Sequence, residues 1–158
     1  MKKNQILIKC GTDYTEMTKE LLEASDLAGK IEQKFAKCET SSKNSLHSMR
    51  IGIKPNLVAP MEACWGGTTH PEVVAGIVEY LQEKGFSNLV IMDGSWVGDK
   101  TSESYEVCGY KSLCEKYNVP FLDMQKEKGV PVECGDMTLN ICKSVLDLDF
   151  LINVPVLK

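Results

Sequence analysis

The sequence predicts an α/β protein built on an open, mainly parallel sheet with helices on both faces. Three observations lead there. Short apolar runs bounded by Gly, Pro or Asp alternate with stretches whose apolar residues recur every three or four positions. Asn88 to Met92 (NLVIM) is nearly all apolar, the pattern of a strand covered on both sides. Between two such strands, Val73, Val74, Ile77, Val78 and Leu81 line one helical face, as in a right-handed strand–helix–strand crossover.

In order along the chain, Gln5 to Cys10 (QILIKC) reads as a short strand stopped by Gly11. Met17, Leu21, Ala24, Ala28, Ile31 and Phe35 then form a helical stripe, as one helix or as two broken near Ser25 or Gly29. Residues 38–49 open with the polar, Ser-rich CETSSKNSLHS and read as a mobile surface loop, with His47 solvated. Arg50 to Lys54 is the second strand. Pro55 stops it, because proline cannot donate to a ladder and holds the preceding residue extended. The helix from Pro71 follows, with Gly85 at a left-handed C-terminal cap. Thr69-His70-Pro71-Glu72 matches a capping box with proline in the first turn.

After NLVIM, Asp93-Gly94-Ser95 breaks the strand, and Ser102 to Tyr117 reads as one or two helices interrupted at Gly109. Phe121 to Met124 is a further strand, and a small hairpin runs through Val130 to Cys134. Leu139 to Cys142, a helical turn through Val145 to Leu148, and Phe150 to Val156 complete the chain. The last strand reads as central, with neither a closing helix nor a polar tail after it. Residues 1–158 are therefore expected to form a single α/β domain and to be a fragment of a longer protein.

Composition narrows the function classes. The 158 residues are 43% hydrophobic and 25% charged, enough for one core. A net charge of -4, with lysines scattered among acids, disfavours nucleic acid and anionic membranes as partners. No apolar run approaches a membrane span or the centre of a signal peptide, so the cytoplasm is the expected location. Seven cysteines with no Cys-x-x-Cys suit reduced thiols, most of them as small core residues.

In open α/β sheets ligands bind beyond the carboxyl ends of the strands, and several polar residues fall there. Lys54 and Asn56 leave the second strand, Asp93 and Ser95 leave the strand after the main helix, and Asn153 and Lys158 lie in or just past the last one. Gly66, Gly67, Thr68, Thr69 and His70 approach the helix from its N-terminal end. Glycines let backbone amides turn inward, hydroxyls add donors, the helix dipole favours negative charge and Lys54 supplies a countercharge. The lysine, the hydroxyl-bearing turn and the aspartate are expected to share one hollow that holds a small-molecule anion. Capping alone would account for Thr69, Pro71 and Glu72, but not for Gly66, Gly67, Thr68 and Lys54 together. Lys54 and His70 are the catalytic candidates, with His70 a base, a metal ligand or a solvent-facing residue. Asn56, Gly66, Gly67, Thr68, Thr69, Asp93, Ser95 and Lys158 are the ligand-binding candidates. Asp93 could hold a cation or a ligand hydroxyl, or merely form a turn. Cys64 is a thiolate or a buried thiol, and Trp65 and Trp96 shield the pocket or fill core. No dinucleotide, Walker, zincin or hydrolase-elbow motif is present, nor the closely spaced cysteines of an iron–sulfur cluster.

IGIKPNLV, TTHPEVVAGIVEYLQEKGFSNLVIMDGS, YEVCGYKSLCEKYNVPFLDM and FLINVPVLK, taken together, resemble the uncharacterised family catalogued as domain of unknown function 362. The resemblance covers roughly Arg50 to Lys158. It implies a soluble α/β domain in a redox context, because members occur alone or joined to ferredoxin-like modules with iron–sulfur clusters. It places any cluster in a fused or partner module, with no cofactor inside this chain. The family pattern continues past PVLK into Thr-His, in keeping with a fragment. The expected function is the ligand-binding or catalytic part of a redox-associated protein acting on a small anionic metabolite. A non-catalytic docking domain for an electron-transfer module and a metal-dependent isomerase or racemase are the alternatives.

Overall fold

The computed structural model describes residues 5–37 and 45–157. Four parallel strands, β1 (Ile51–Pro55), β2 (Leu89–Asp93), β3 (Phe121–Asp123) and β6 (Phe150–Val154), form a sheet in the order β3-β2-β1-β6. Their connections explain the layers. Helix α3 (Pro71–Glu83) joins β1 to β2, and α4 (Thr101–Val107) with α5 (Tyr110–Tyr117) joins β2 to β3. Both steps run the same way across the sheet, so right-handed crossovers put these helices on one face. The return from β3 to β6 runs the other way. It carries a separate hairpin, β4 (Gly129–Cys134) with β5 (Met137–Cys142), and the one-turn helix α6 (Lys143–Leu146) toward the opposite face. There the Leu148 side chain occupies the space a Cβ would need at Gly52.

Strand alternation sorts the side chains. Ile51, Ile53, Leu89 and Ile91 join a core with residues of α3, α5 and α2 (Leu27–Lys37). Gly52, Lys54, Val90 and Met92 therefore point to the other face. The register sets Lys54 beside Asn153 on that face.

The first strand expected from the sequence does not form. Residues 5–10 pair with no strand, and Ile6 and Ile8 are 84% and 82% exposed. Lys9 instead pairs with Glu20 of α1 (Tyr14–Ala24), which keeps the segment beside a helix, where no strand edge offers it a ladder. The helical stripe breaks at Ser25 and Asp26, where Asp26 adopts a left-handed φ of 54°. Gly85 (φ 86°) ends α3 and Gly109 (φ 81°) separates α4 from α5, both as the sequence predicts.

Of the loop expected over 38–49, residues 38–44 lie outside the described residues. Leu46–Ser48 form a 3-10 turn, Met49 is buried, and exposed His47 holds its Nδ1 2.6 Å from the Gly85 carbonyl oxygen. The last strand is an edge strand rather than a central one, with Leu151 42% exposed. Among the six described cysteines only Cys108 and Cys114 are buried, so the expectation of mostly core thiols is overturned. Among the described residues no helix is long and apolar enough to cross a membrane.

Two predictions arise from packing. At Gly76 a Cβ would sit 2.5 Å from the Thr15 carbonyl oxygen and 2.9 Å from Thr18 Cβ, so α1 and α3 touch only because no side chain intervenes. Gly76→Ala is expected to lower stability by about 1–3 kcal/mol in urea denaturation, despite alanine's better helix propensity. Burial pushes the Tyr105 phenol up to about 12 and raises that of Tyr110 further. The folded chain then keeps these protons after the unfolded chain has lost them. Stability present below pH 10 should fall as pH rises from 10 through 12, read as a declining urea midpoint.

Candidate functional site

At the carboxyl ends of β1, β2 and β6 the chain closes a hydrogen-bonded knot. Asp93 ends β2 with only 4% of its side chain exposed. Its Oδ2 accepts from Leu57 N at 2.6 Å, and its Oδ1 lies 2.6 Å from Lys54 Nζ. Lys54 also reaches the Pro55 carbonyl oxygen at 3.3 Å and keeps 35% of its side chain exposed. A carboxylate this buried needs its acceptor sites filled, and one backbone amide and one ammonium fill them.

The turn before α3 is tied to the same strand ends. Thr69 Oγ1 accepts from Asn56 N at 2.9 Å and donates to the Val154 carbonyl oxygen at 2.8 Å. Thr69 N donates to the Asn56 carbonyl oxygen at 3.0 Å, and Asn56 Nδ2 donates to that of Gly67 at 2.8 Å. The capping-box expectation is therefore corrected. His70, not Thr69, is the N-cap, without a side-chain cap bond, because the Thr69 hydroxyl is committed to strand ends on either side.

Ser95 fixes the loop after β2. Its Oγ donates to the Leu57 carbonyl oxygen at 2.6 Å and lies 2.8 Å from Ser104 Oγ, while its N–H donates to Thr101 Oγ1 at 3.1 Å. Thr68 is buried and donates to the Met61 carbonyl oxygen at 3.1 Å, so it braces its own loop. Gly66 takes a left-handed φ of 78° and gives its N–H to the Ala63 carbonyl oxygen, while Gly67 lies against Met61 Sδ. These glycines make a tight turn, and the Gly66 amide is spent inside it.

The structure thus brings Lys54, Asn56, Gly67, Thr69, Asp93 and Ser95 into one network. His70 stands apart from it. Its ring packs 4.6 Å from that of Tyr14, and its Nδ1 lies 3.7 Å from Glu72 Oε2. It lines a separate shallow hollow of about 300 Å³ with Glu62, Cys64, Glu72 and Cys108 among the other residues. Two carboxylates there suit an anion poorly. Partial desolvation and the Glu62 carboxylate raise the exposed Cys64 thiol, which opposes a thiolate. Lys158 lies outside the described residues.

Three contributors escaped the sequence reading. The Tyr110 hydroxyl, fully buried, donates to the Thr69 carbonyl oxygen at 3.0 Å. Cys108 Sγ donates to the Met61 carbonyl oxygen at 3.2 Å. Gln125 clamps the loop after β2, its Nε2 donating to the Asp99 carbonyl oxygen at 2.9 Å and its Oε1 facing Thr101 N at 3.4 Å. The Gly109-Tyr110 pair was visible as a helix interruption, and nothing in the sequence marked the other two.

Among the described residues no three of His, Cys, Asp and Glu are grouped to hold a metal ion. The family model described as Domain of unknown function (DUF362) matches residues 51–158. No curated protein and no solved structure matches the chain.

Proposed function

This chain belongs to the family described as Domain of unknown function (DUF362), and we propose that it binds a small anionic metabolite, a carboxylate or phosphate, at the carboxyl ends of β1 and β6. One observation carries the reading. Asp93, buried behind the sheet end, holds the Lys54 ammonium at 2.6 Å while a third of the lysine stays exposed beside the exposed Asn153. An ammonium has three donors. Asp93 and the Pro55 carbonyl oxygen take two, which leaves one for a ligand oxygen in a fixed place. In this reading Lys54 binds and orients, and Asp93 and Thr69 hold the frame around it.

Calorimetric titration with a panel of small carboxylates and phosphates tests it. At least one should bind, and Lys54→Met should weaken it about tenfold or more. The Lys54→Met/Asp93→Asn double variant removes both charges together and should fold without binding. Affinity unchanged in Lys54→Met would remove Lys54 from the site.

The redox context remains part of the proposal, supported by the resemblance alone. The described cysteines do not fit an iron–sulfur cluster, since no three potential ligands come together. In this proposal any cluster sits in a fused or partner module. For the same reason the isomerase reading finds no ligand set among the described residues.

A docking role has one observation in its favour. Register places Val130 with Ile141, Val132 with Leu139 and Cys134 with Met137 on one side of the hairpin, where Met137 is 62% and Leu139 42% exposed. An apolar ribbon face of this kind suits a protein partner. Titrating a purified ferredoxin-like iron–sulfur protein should perturb hairpin amide signals, and Met137→Lys with Leu139→Lys should abolish the effect. Shifts confined to other elements would refute docking there.

A further inference from the structure

We infer that β6 is a dimerisation edge: a second copy of this chain adds its own β6 antiparallel, about a two-fold axis at Ile152, and the two sheets become one. The inference is independent of the Lys54 reading.

The two edges of the sheet are built differently. β3 is three residues long and ends on Asp123, where the 3-10 turn Met124–Lys126 takes over. A short strand and a charge are how an edge is kept from pairing. β6 has neither. It runs for five residues, FLINV, without a charge, and its register against β1 is unbroken by any bulge. Leu151 is 42% exposed and Asn153 is exposed as well.

The hydrogen bonds show which groups face outward. Phe150 N donates to the Arg50 carbonyl oxygen, on the β1 side. In a parallel pair, alternate residues turn both backbone groups to the same neighbour, so Phe150, Ile152 and Val154 face β1. Leu151 and Asn153 turn N–H and C=O to the open edge, and among the described residues nothing bonds them. Both ends of this short row are closed. Pro155 has no N–H, and Asp149 N is spent on the Arg50 carbonyl oxygen at 2.9 Å. One antiparallel register therefore satisfies every outward group. Centred on Ile152, it sets Leu151 opposite Asn153 of the second copy and the reverse, each pair exchanging both bonds, about four in all. Centred on Leu151, it would set Asn153 opposite Asp149, and centred on Asn153, it would set Leu151 opposite Pro155; either way a C=O finds no donor. Each copy has one such edge, so the assembly closes at two.

Sedimentation and hydrogen exchange over a concentration series test it. A monomer–dimer equilibrium is expected. The amides of Leu151 and Asn153 should exchange slowly only where the dimer is populated, while those of Phe150 and Ile152, turned to β1, are slow throughout. Leu151→Pro removes one N–H from the open edge and leaves the β1 ladder intact, because proline is tolerated where an edge N–H faces solvent. It should raise the dimer dissociation constant about tenfold or more. Leu151→Lys keeps every backbone group, places a charge on the edge and should weaken the dimer too; it decides the matter if the proline variant does not fold. Met137→Lys with Leu139→Lys on the hairpin should leave the dimer as it is. A chain that stays monomeric at every concentration, a dimer whose Leu151 and Asn153 amides exchange freely, or a dimer lost in the hairpin variant and kept in the folded edge variants would overturn the inference.

Discussion

Asp93→Ala is expected to lower the unfolding free energy by about 3 kcal/mol, the largest loss of any single change in the strand-end knot. Two groups lose their partner at once. Leu57 N, which donates to Oδ2 at 2.6 Å, is left in a buried turn without an acceptor. Lys54 keeps its charge but loses the carboxylate 2.6 Å away. Because Lys54 is 35% exposed, water recovers part of its solvation, and the loss falls below that of a fully enclosed pair. Asp93→Asn keeps an oxygen for Leu57 N and should cost about half as much. Denaturant unfolding of both variants checks the order. A loss below about 1 kcal/mol for Asp93→Ala would mean that the knot rehydrates freely, and Lys54 would then not be held in place for a ligand.

How much of this could be read from the sequence follows from the range of the interactions concerned. The sheet, the main helix and its Gly85 cap depend on neighbours three or four residues apart, and NLVIM carries its double coverage in its own composition. Lys54, Asp93 and Thr69 were legible because strand ends are predictable places. Their partners were not. Thr69 and Val154 are 85 residues apart, and Leu57 and Asp93 are 36 apart. Capping-box spacing therefore pointed to a local partner for Thr69 when its hydroxyl had a distant one. The segment at 5–10 failed for a related reason. Apolar pattern shows that a segment can be a strand, but only a strand edge lying beside it makes it one, and this segment lies beside α1. His70 parts from Thr69 because neighbours in sequence at the start of a helix face different ways. Thr69 points to the strand ends, and His70 points to Tyr14 and Glu72.

The satisfied state of the knot also changes what a ligand would meet. Asn56 Nδ2 and the hydroxyls of Thr69 and Ser95 are bonded within the protein, which fixes the frame of the strand ends. Lys54, with 35% of its side chain exposed, and the exposed Asn153 keep surface open to solvent at that end of the sheet.

Thr69→Val is the second large prediction, and it separates hydrogen bonding from packing. The two side chains have nearly the same shape, so core contacts at this 4% exposed position change little. The hydroxyl, however, serves two strands. Pro55 lies opposite Val154 at the end of the ladder, and beyond it Thr69 Oγ1 donates to the Val154 carbonyl oxygen. The same oxygen accepts from Asn56 N. With valine both backbone groups lose their partner in a buried setting, and the expected loss is about 2–3 kcal/mol. Thr69→Ser keeps the oxygen and should cost under about 1 kcal/mol, the worth of one methyl group. Hydrogen exchange distinguishes the causes, since Thr69→Val should speed exchange in β6 and at Asn56 while the amides of α1 and α2 keep their rates. Equal losses in the two variants would assign Thr69 to packing, and the turn before α3 would no longer be what joins β6 to the Lys54 site.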